Sequence, residues 1–168
     1  MFALEQPIDD GLIIPEVGSW SADKDHFLRR YIDIFTTGMK AKNWRGLHYI
    51  DLFASAGIER IRGEGSLHWG SPLIAAQAPN RFTRLHLCEL KKDRLAALQE
   101  RLSRWHQPNP PQIIHGDANQ AVEKIVAELP LRSLSLAFLD PTGLLLHFES
   151  LQQLAERRVD FIIFFPDH

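Results

Sequence analysis

The sequence predicts an α/β domain built on a doubly wound, mostly parallel sheet. Three observations carry that expectation. After a leading helix, strand-like runs and helix-period segments alternate as β-α-β-α-β-α-β-α-β, the order expected of parallel strands joined by right-handed crossovers. The strand-like runs, such as "LHYIDLF" and "LSLAFL", are almost continuously apolar, which suits strands covered on both faces. The chain has 168 residues, enough for one domain with a substantial core.

Residues 1–19 carry acids and prolines without a basic start and read as an irregular leader, not a signal peptide. The α/β domain is expected over 20–168. Ser21 suits an N-cap, with Asp23 and Asp25 in the positive first turn. Phe27, Leu28, Tyr31, Ile32 and Phe35 then recur at helical spacing until Gly38. "LHYIDLF" is the first strand. Glu59 to Gly70 is polar and glycine-rich and reads as a long loop. Ser71 and Pro72 start the next helix, with Pro72 at its first position.

"TRLHLCEL" is the second strand. The helix after it, "KKDRLAALQERLSRWH", places Leu95, Leu98, Leu102 and Trp105 on one side, and "QPNPP" stops it. "QIIHGD" is a short third strand, and the helix that follows groups Val122, Ile125, Val126 and Leu129. "LSLAFLD" is the fourth strand, "FESLQQLAER" a helix and "VDFIIFFP" the fifth strand. A strand that ends at the terminus leaves an open edge or an unfinished sheet, so the domain is expected to lack its last strands, either as the first part of a longer protein or as a truncated frame.

Composition narrows the function classes. A formal charge of -2 indicates no dominant polyanion partner, although a local basic patch would survive that total. The lone Cys88 cannot build a disulfide frame, a zinc site or an iron–sulfur site in this chain, so a reducing, cytoplasmic setting is expected. Inside a strand it reads as a small buried hydrophobe. No apolar run approaches the ~20 residues needed to span a bilayer. The eight histidines form no metal spacing and read as scattered surface or core residues.

In such sheets ligands bind beyond the carboxyl ends of the strands, near the point where strand order reverses. Acids lie at or near all four of the first strand ends: Asp51, Glu89, Asp117 and Asp140. That rim fits a cationic nucleoside cofactor, S-adenosylmethionine. A carboxylate after the second strand can accept both ribose hydroxyls, and one after the third can accept the adenine amine. Small residues after the first strand let backbone N–H groups approach the methionine part. Glu89 follows Gly57 by more than the ~20 residues usual for such an acid, and the 59–70 loop absorbs the excess. A dinucleotide would call for G-x-G-x-x-G before a helix, which is absent. Each acid also has a plain structural reading. Glu89 suits a solvated strand end, Asp117 with Gln120 a capping box, and Asp140-Pro141 a turn. Asp51 lies in a strongly apolar run, where a carboxylate is costly unless paired.

The segments "DKDHFLRRYIDIF", "YIDLFASAG", "GSPLIAA", "LAFLDPTG" and "VDFIIFFP", in that order, resemble the three-Cys-motif partner proteins (TcmP), a family related to class I methyltransferases. The resemblance covers most of the chain from Trp20 onward. It implies a Rossmann-like fold, S-adenosylmethionine as cofactor, and a cytoplasmic protein paired with a partner bearing three clustered cysteines. The implied cofactor residues are Asp51, Phe53, Ala54, Gly57, Glu89, Asp117, Ala118 and Asp140, with Asp140 also catalytic. The family's first motif usually reads D-x-F-A-G-P-G; Ser55 and Ala56 stand here for the first glycine and the proline. "DPTG" is similar to the D-P-P-Y motif of amino methyltransferases, with Thr142 and Gly143 where proline and an aromatic would be. The expected activity is methyl transfer to an unidentified acceptor, a nucleic-acid base among the candidates. The alternatives are a non-catalytic docking partner and a nicotinamide-dependent oxidoreductase.

Overall fold

The computed structural model describes residues 2–141 and 145–165. The expected Thr142 and Gly143 of the "DPTG" turn and the end of "VDFIIFFP" at Pro166 lie outside them. Among the described residues five helices and two sheets form. The element order is β1 (Glu16–Val17), α1 (Trp20–Met39), β2 (Leu47–Asp51), β3 (Ile58–Ile61), β4 (Leu67–Trp69), α2 (Ser71–Ala76) and β5 (Arg84–Glu89). It continues with α3 (Lys92–Leu102), β6 (Gln112–His115), α4 (Ala118–Glu128), β7 (Leu134–Leu139), α5 (Phe148–Ala155) and β8 (Val159–Ile163).

The main sheet has the order β6-β5-β2-β7-β8, and every pairing in it is parallel. The chain builds outward from β2 to β5 and β6, returns to the other side of β2 for β7, and continues to β8. Strand order therefore reverses between β2 and β7.

Alternation along the strands divides the core in two. Tyr49, Leu87 and Phe138 point to one face and pack with Leu28, Ile32, Leu73 and Leu98 of α1, α2 and α3. Ile50, Cys88 and Ala137 point to the other and pack with Val122, Ile125 and Leu154 of α4 and α5. This two-faced burial explains the continuous apolar strands: all five residues of β2 and all six of β7 are buried. Cys88 belongs to this packing, and burial pushes its thiol up to about 12.

Three expectations are corrected. The 59–70 stretch is not a plain loop: β3 and β4 pair antiparallel, and β1 of the leader adds in parallel to β3. Ile58, Ile61, Leu67 and Trp69 supply the apolar side chains of this hairpin, and Gly63 and Gly65 take positive φ at its turn. The charged and glycine residues between them hid the alternation. The leader is likewise not irregular throughout, since Glu16 and Val17 are paired. The helix boundary shifts as well. Ser19 occupies the N-cap of α1 without a side-chain cap bond, and Ser21 is buried inside the first turn. No helix of the described residues is long and apolar enough to cross a membrane.

Candidate functional site

The carboxyl ends of β2, β5, β6 and β7 open onto a cleft of about 1400 Å³. Its walls include Phe53, Glu89, Asp117, Ala118 and Asp140, so five of the eight expected site residues meet there. The volume exceeds the roughly 300–1,000 Å³ of ordinary small-molecule sites.

Glu89 ends β5, and its carboxylate is already engaged. Oε2 accepts from the Ser55 N–H at 2.8 Å and Oε1 from the Lys91 N–H at 2.7 Å. It thereby fixes the turn after β2 against the end of β5. Asp117 caps α4, with Oδ1 accepting from the N–H groups of Asn119 and Gln120, as the sequence anticipated. Asn119 reaches on to the segment beyond β7. Its amide donates to the Leu145 carbonyl, and its Oδ1 accepts from the His147 N–H and the Ser150 hydroxyl. Leu145 and His147 are also cleft residues.

Asp51, Ala54 and Gly57 do not line the cleft; they hold up its floor. Asp51 is fully buried and accepts from the Phe53 N–H at 3.0 Å, the Ser71 hydroxyl at 2.6 Å and the Tyr49 hydroxyl at 3.3 Å. These donors answer the question its apolar setting raised. Burial still dominates them and pushes its carboxyl up to about 7. Ala54 is fully buried, and its N–H donates to the Cys88 carbonyl at 2.9 Å. Gly57 has φ +84°, and a Cβ there would stand 2.9 Å from Leu73 side-chain atoms. That backbone turn and the close packing both call for glycine at this position.

At the β2–β7 reversal, Lys24 of α1 grips Asp140 with Nζ 2.7 Å and 2.5 Å from the two carboxylate oxygens. Asp25 and Glu59 join Lys24 and Asp140 around a smaller recess. Burial, then Glu59 and Asp140, raise Asp25 well above the usual carboxylate range. Burial, then Asp140, push Glu59 up to about 7. Sequence reasoning missed Lys24, Asp25 and Glu59. Asp25 resembles a first-turn helix acid, and Glu59 sits in the hidden hairpin. Lys24 and Asp25 did lie in the quoted segment "DKDHFLRRYIDIF", and that was the available signal.

No protein-family model and no curated protein matches the sequence. Solved structures similar in shape include the following two. A Legionella pneumophila protein described by the family model DUF519 is 15% identical over 81% of this chain and 66% of its own length, with a TM-score of 0.51. A conserved hypothetical protein of Streptococcus pyogenes is 19% identical over 76% of this chain and 68% of its own, with a TM-score of 0.44. The Legionella likeness is one of fold. It agrees with a Rossmann-like α/β arrangement, and the chain spans 66% of that protein's length.

Proposed function

We propose that this chain is a class I methyltransferase-like protein that binds S-adenosylmethionine and belongs with the three-Cys-motif partner proteins. The observation that carries the reading is the convergence of Glu89, Asp117 and Asp140, from three strand ends, on one cleft at the reversal of strand order. The residues fit the cofactor. A carboxylate offers about four lone-pair sites, so Glu89 can hold a ribose diol while its two backbone bonds remain. Asp117 caps α4 through Oδ1, which leaves Oδ2 for an adenine amine. Phe53 offers an aromatic edge, and Ala118 lets an adenine ring approach the start of α4.

When bound, S-adenosylmethionine supplies an activated methyl group on its sulfonium. The chain's part is positioning, which can supply a large share of the rate. Asp140, held at both oxygens by Lys24, orients the acceptor and receives its proton. The acceptor's identity, with a nucleobase among the candidates, the cysteine-rich partner and a cytoplasmic location belong to the same proposal.

The deciding experiment is isothermal titration with S-adenosylmethionine. Saturable heat is expected; folded protein with no heat at millimolar ligand would reject the reading. A second reading, a non-catalytic docking partner, is favoured by the Lys24 grip, which neutralises the carboxylate assigned to catalysis. It gains ground if titration is silent while the chain still captures its cysteine-rich partner.

A further inference from the structure

The recess beside Asp140 has a volume of about 30 Å³. A water needs roughly 10–15 Å³ by this kind of measure, so the recess takes a group of two or three heavy atoms at most. Lys24, Phe53, Glu59 and Asp140 line both the recess and the large cleft. The recess is therefore a side chamber of the cleft, sized for the end of a larger ligand.

Its chemistry is one-sided. Three carboxyl groups, from Asp25, Glu59 and Asp140, face one lysine, and that lysine is committed to Asp140. The Ser71 hydroxyl at the wall donates to Asp51. Asp25 Oδ2 is buried and, among the described residues, has no hydrogen-bond partner. A buried polar oxygen left unpaired costs about 1–3 kcal/mol, and an N–H group brought against it would offset that cost. Among the described residues no His, Cys, Asp and Glu group has the geometry to hold a metal ion. A small nitrogen group with N–H bonds, cationic or readily charged, meets every requirement.

We propose that this recess is a subsite for the amino group of the methyl-accepting molecule, with Asp25 and Glu59 as its acceptors. The proposal rests on the methyltransferase reading for the word "accepting". Recess residues come from α1, β3, α2 and the β2 and β7 ends, and none from β5 or β6. The acids proposed for the nucleoside stand at the end of β5 (Glu89) and after β6 (Asp117). The donor's nucleoside end and the amine subsite thus occupy different stretches of the cleft.

The probe is methylammonium chloride, compared in thermal unfolding with tetramethylammonium chloride and potassium chloride at equal ionic strength. At roughly ten times its dissociation constant, methylammonium should raise Tm by about 2–5 °C over potassium. Tetramethylammonium, which has the same charge but no N–H and too large a head, should not. Asp25→Asn should abolish the methylammonium shift. If that variant does not fold, the comparison of the two ammonium ions on the unaltered chain still decides. Equal shifts with both ions, or none, would overturn the subsite. With S-adenosylmethionine saturating, the shift should persist. Its loss would assign the recess to the donor's own ammonium and overturn the acceptor role. Silence with S-adenosylmethionine alongside a methylammonium shift would keep the amine subsite and remove the methyltransferase reading.

Discussion

Ser55 stands in the left-handed region at φ 53°, and from there its N–H donates to Glu89 Oε2 at 2.8 Å. One acid thus ties the turn after β2 to the end of β5, at the place proposed above for a ribose. Glu89→Ala removes two charge-assisted bonds to backbone, each worth about 1.5–3 kcal/mol. A loss of roughly 2–4 kcal/mol in urea unfolding is expected, together with at least a ~10-fold drop in S-adenosylmethionine affinity. Unchanged affinity in the folded variant would remove Glu89 from the cofactor site.

A serine at positive φ is strained relative to glycine. Ser55→Gly restores the residue usual at this place in the resembling motif. It should stabilise the domain by a few tenths to about 1 kcal/mol, because relief of strain outweighs the added freedom of the unfolded chain. A stability loss above ~0.5 kcal/mol would mean that the Ser55 side chain makes a contact worth more than the strain.

The sheet was legible because it is buried on both faces, so each strand announced itself as an apolar run. The hairpin of β3 and β4 was not, because its apolar residues are interleaved with Glu59, Arg60 and Arg62 and separated by glycines. Strand-end acids were legible one at a time. Whether each reached the cleft depended on which way its side chain turned: Glu89 and Asp140 face it, while Asp51 turns under the floor toward Ser71. Lys24 and Asp25 meet Asp140 only through tertiary packing of α1, which no local spacing encodes.

Arg101 was concealed in the same way, on a helix read for its leucines. It is fully buried. Its guanidinium donates to both oxygens of Asp10, at 2.7 Å and 3.0 Å, and to the carbonyls of Ile13 and Ala56. It pins the leader to the turn after β2, and its ion pair holds the Asp10 carboxyl down at about 2. Arg101→Met should cost about 3–5 kcal/mol, since it leaves the Ile13 and Ala56 carbonyls without their donor and Asp10 with Arg104 alone. Arg104→Ala, whose partly exposed side chain also reaches Asp10, should cost under ~1 kcal/mol. Equal effects in urea unfolding would contradict this division. Because Asp10 is depressed in the fold, its contribution is complete above about pH 4 and is lost as pH falls toward 2.

Lys24 is the counter-charge lining a chamber that holds Asp25, Glu59 and Asp140. Acids raised in the fold, such as Glu59 at about 7, destabilise it as pH climbs from the unfolded value through the folded one. Lys24→Met should steepen that fall. The variant should lie near the parent at pH 5 and below it by about 1–3 kcal/mol at pH 8. Adding Asp140→Asn should recover part of the difference. On its own, Asp140→Asn should leave S-adenosylmethionine affinity nearly intact and abolish turnover on an identified acceptor. A pH-independent Lys24→Met effect would show that its role is packing against the Phe164 ring, which lies 5.1 Å from Nζ.

His48 and His86, which the sequence left scattered, form a buried stacked pair with ring centroids 5.2 Å apart. His48 Nδ1 lies 2.9 Å from His86 Nε2, and His86 Nδ1 lies 2.5 Å from Gln112 Oε1. Because Gln112 Oε1 only accepts, His86 Nδ1 carries a proton and donates to it. Burial favours the neutral form of both rings, and among the described residues His48 Nε2 is buried without a partner. Burial, then the neighbouring His86 and Arg84, depress His48 to about 4; burial also lowers His86. A histidine depressed in the fold supplies stability that is complete above its unfolded value, near 6.5, and is lost as pH falls toward 4. Whole-protein stability will not isolate this, because Asp51 and Glu59, both raised to about 7, gain stability over the same descent. The ring signals of His48 in NMR should instead stay neutral down to about pH 4. The stability advantage of the parent over His48→Phe should shrink by on the order of 2–3 kcal/mol between pH 6.5 and 4. A His48 titrating near 6.5, or an advantage constant with pH, would mean that the pair is hydrated and charged rather than dry and neutral.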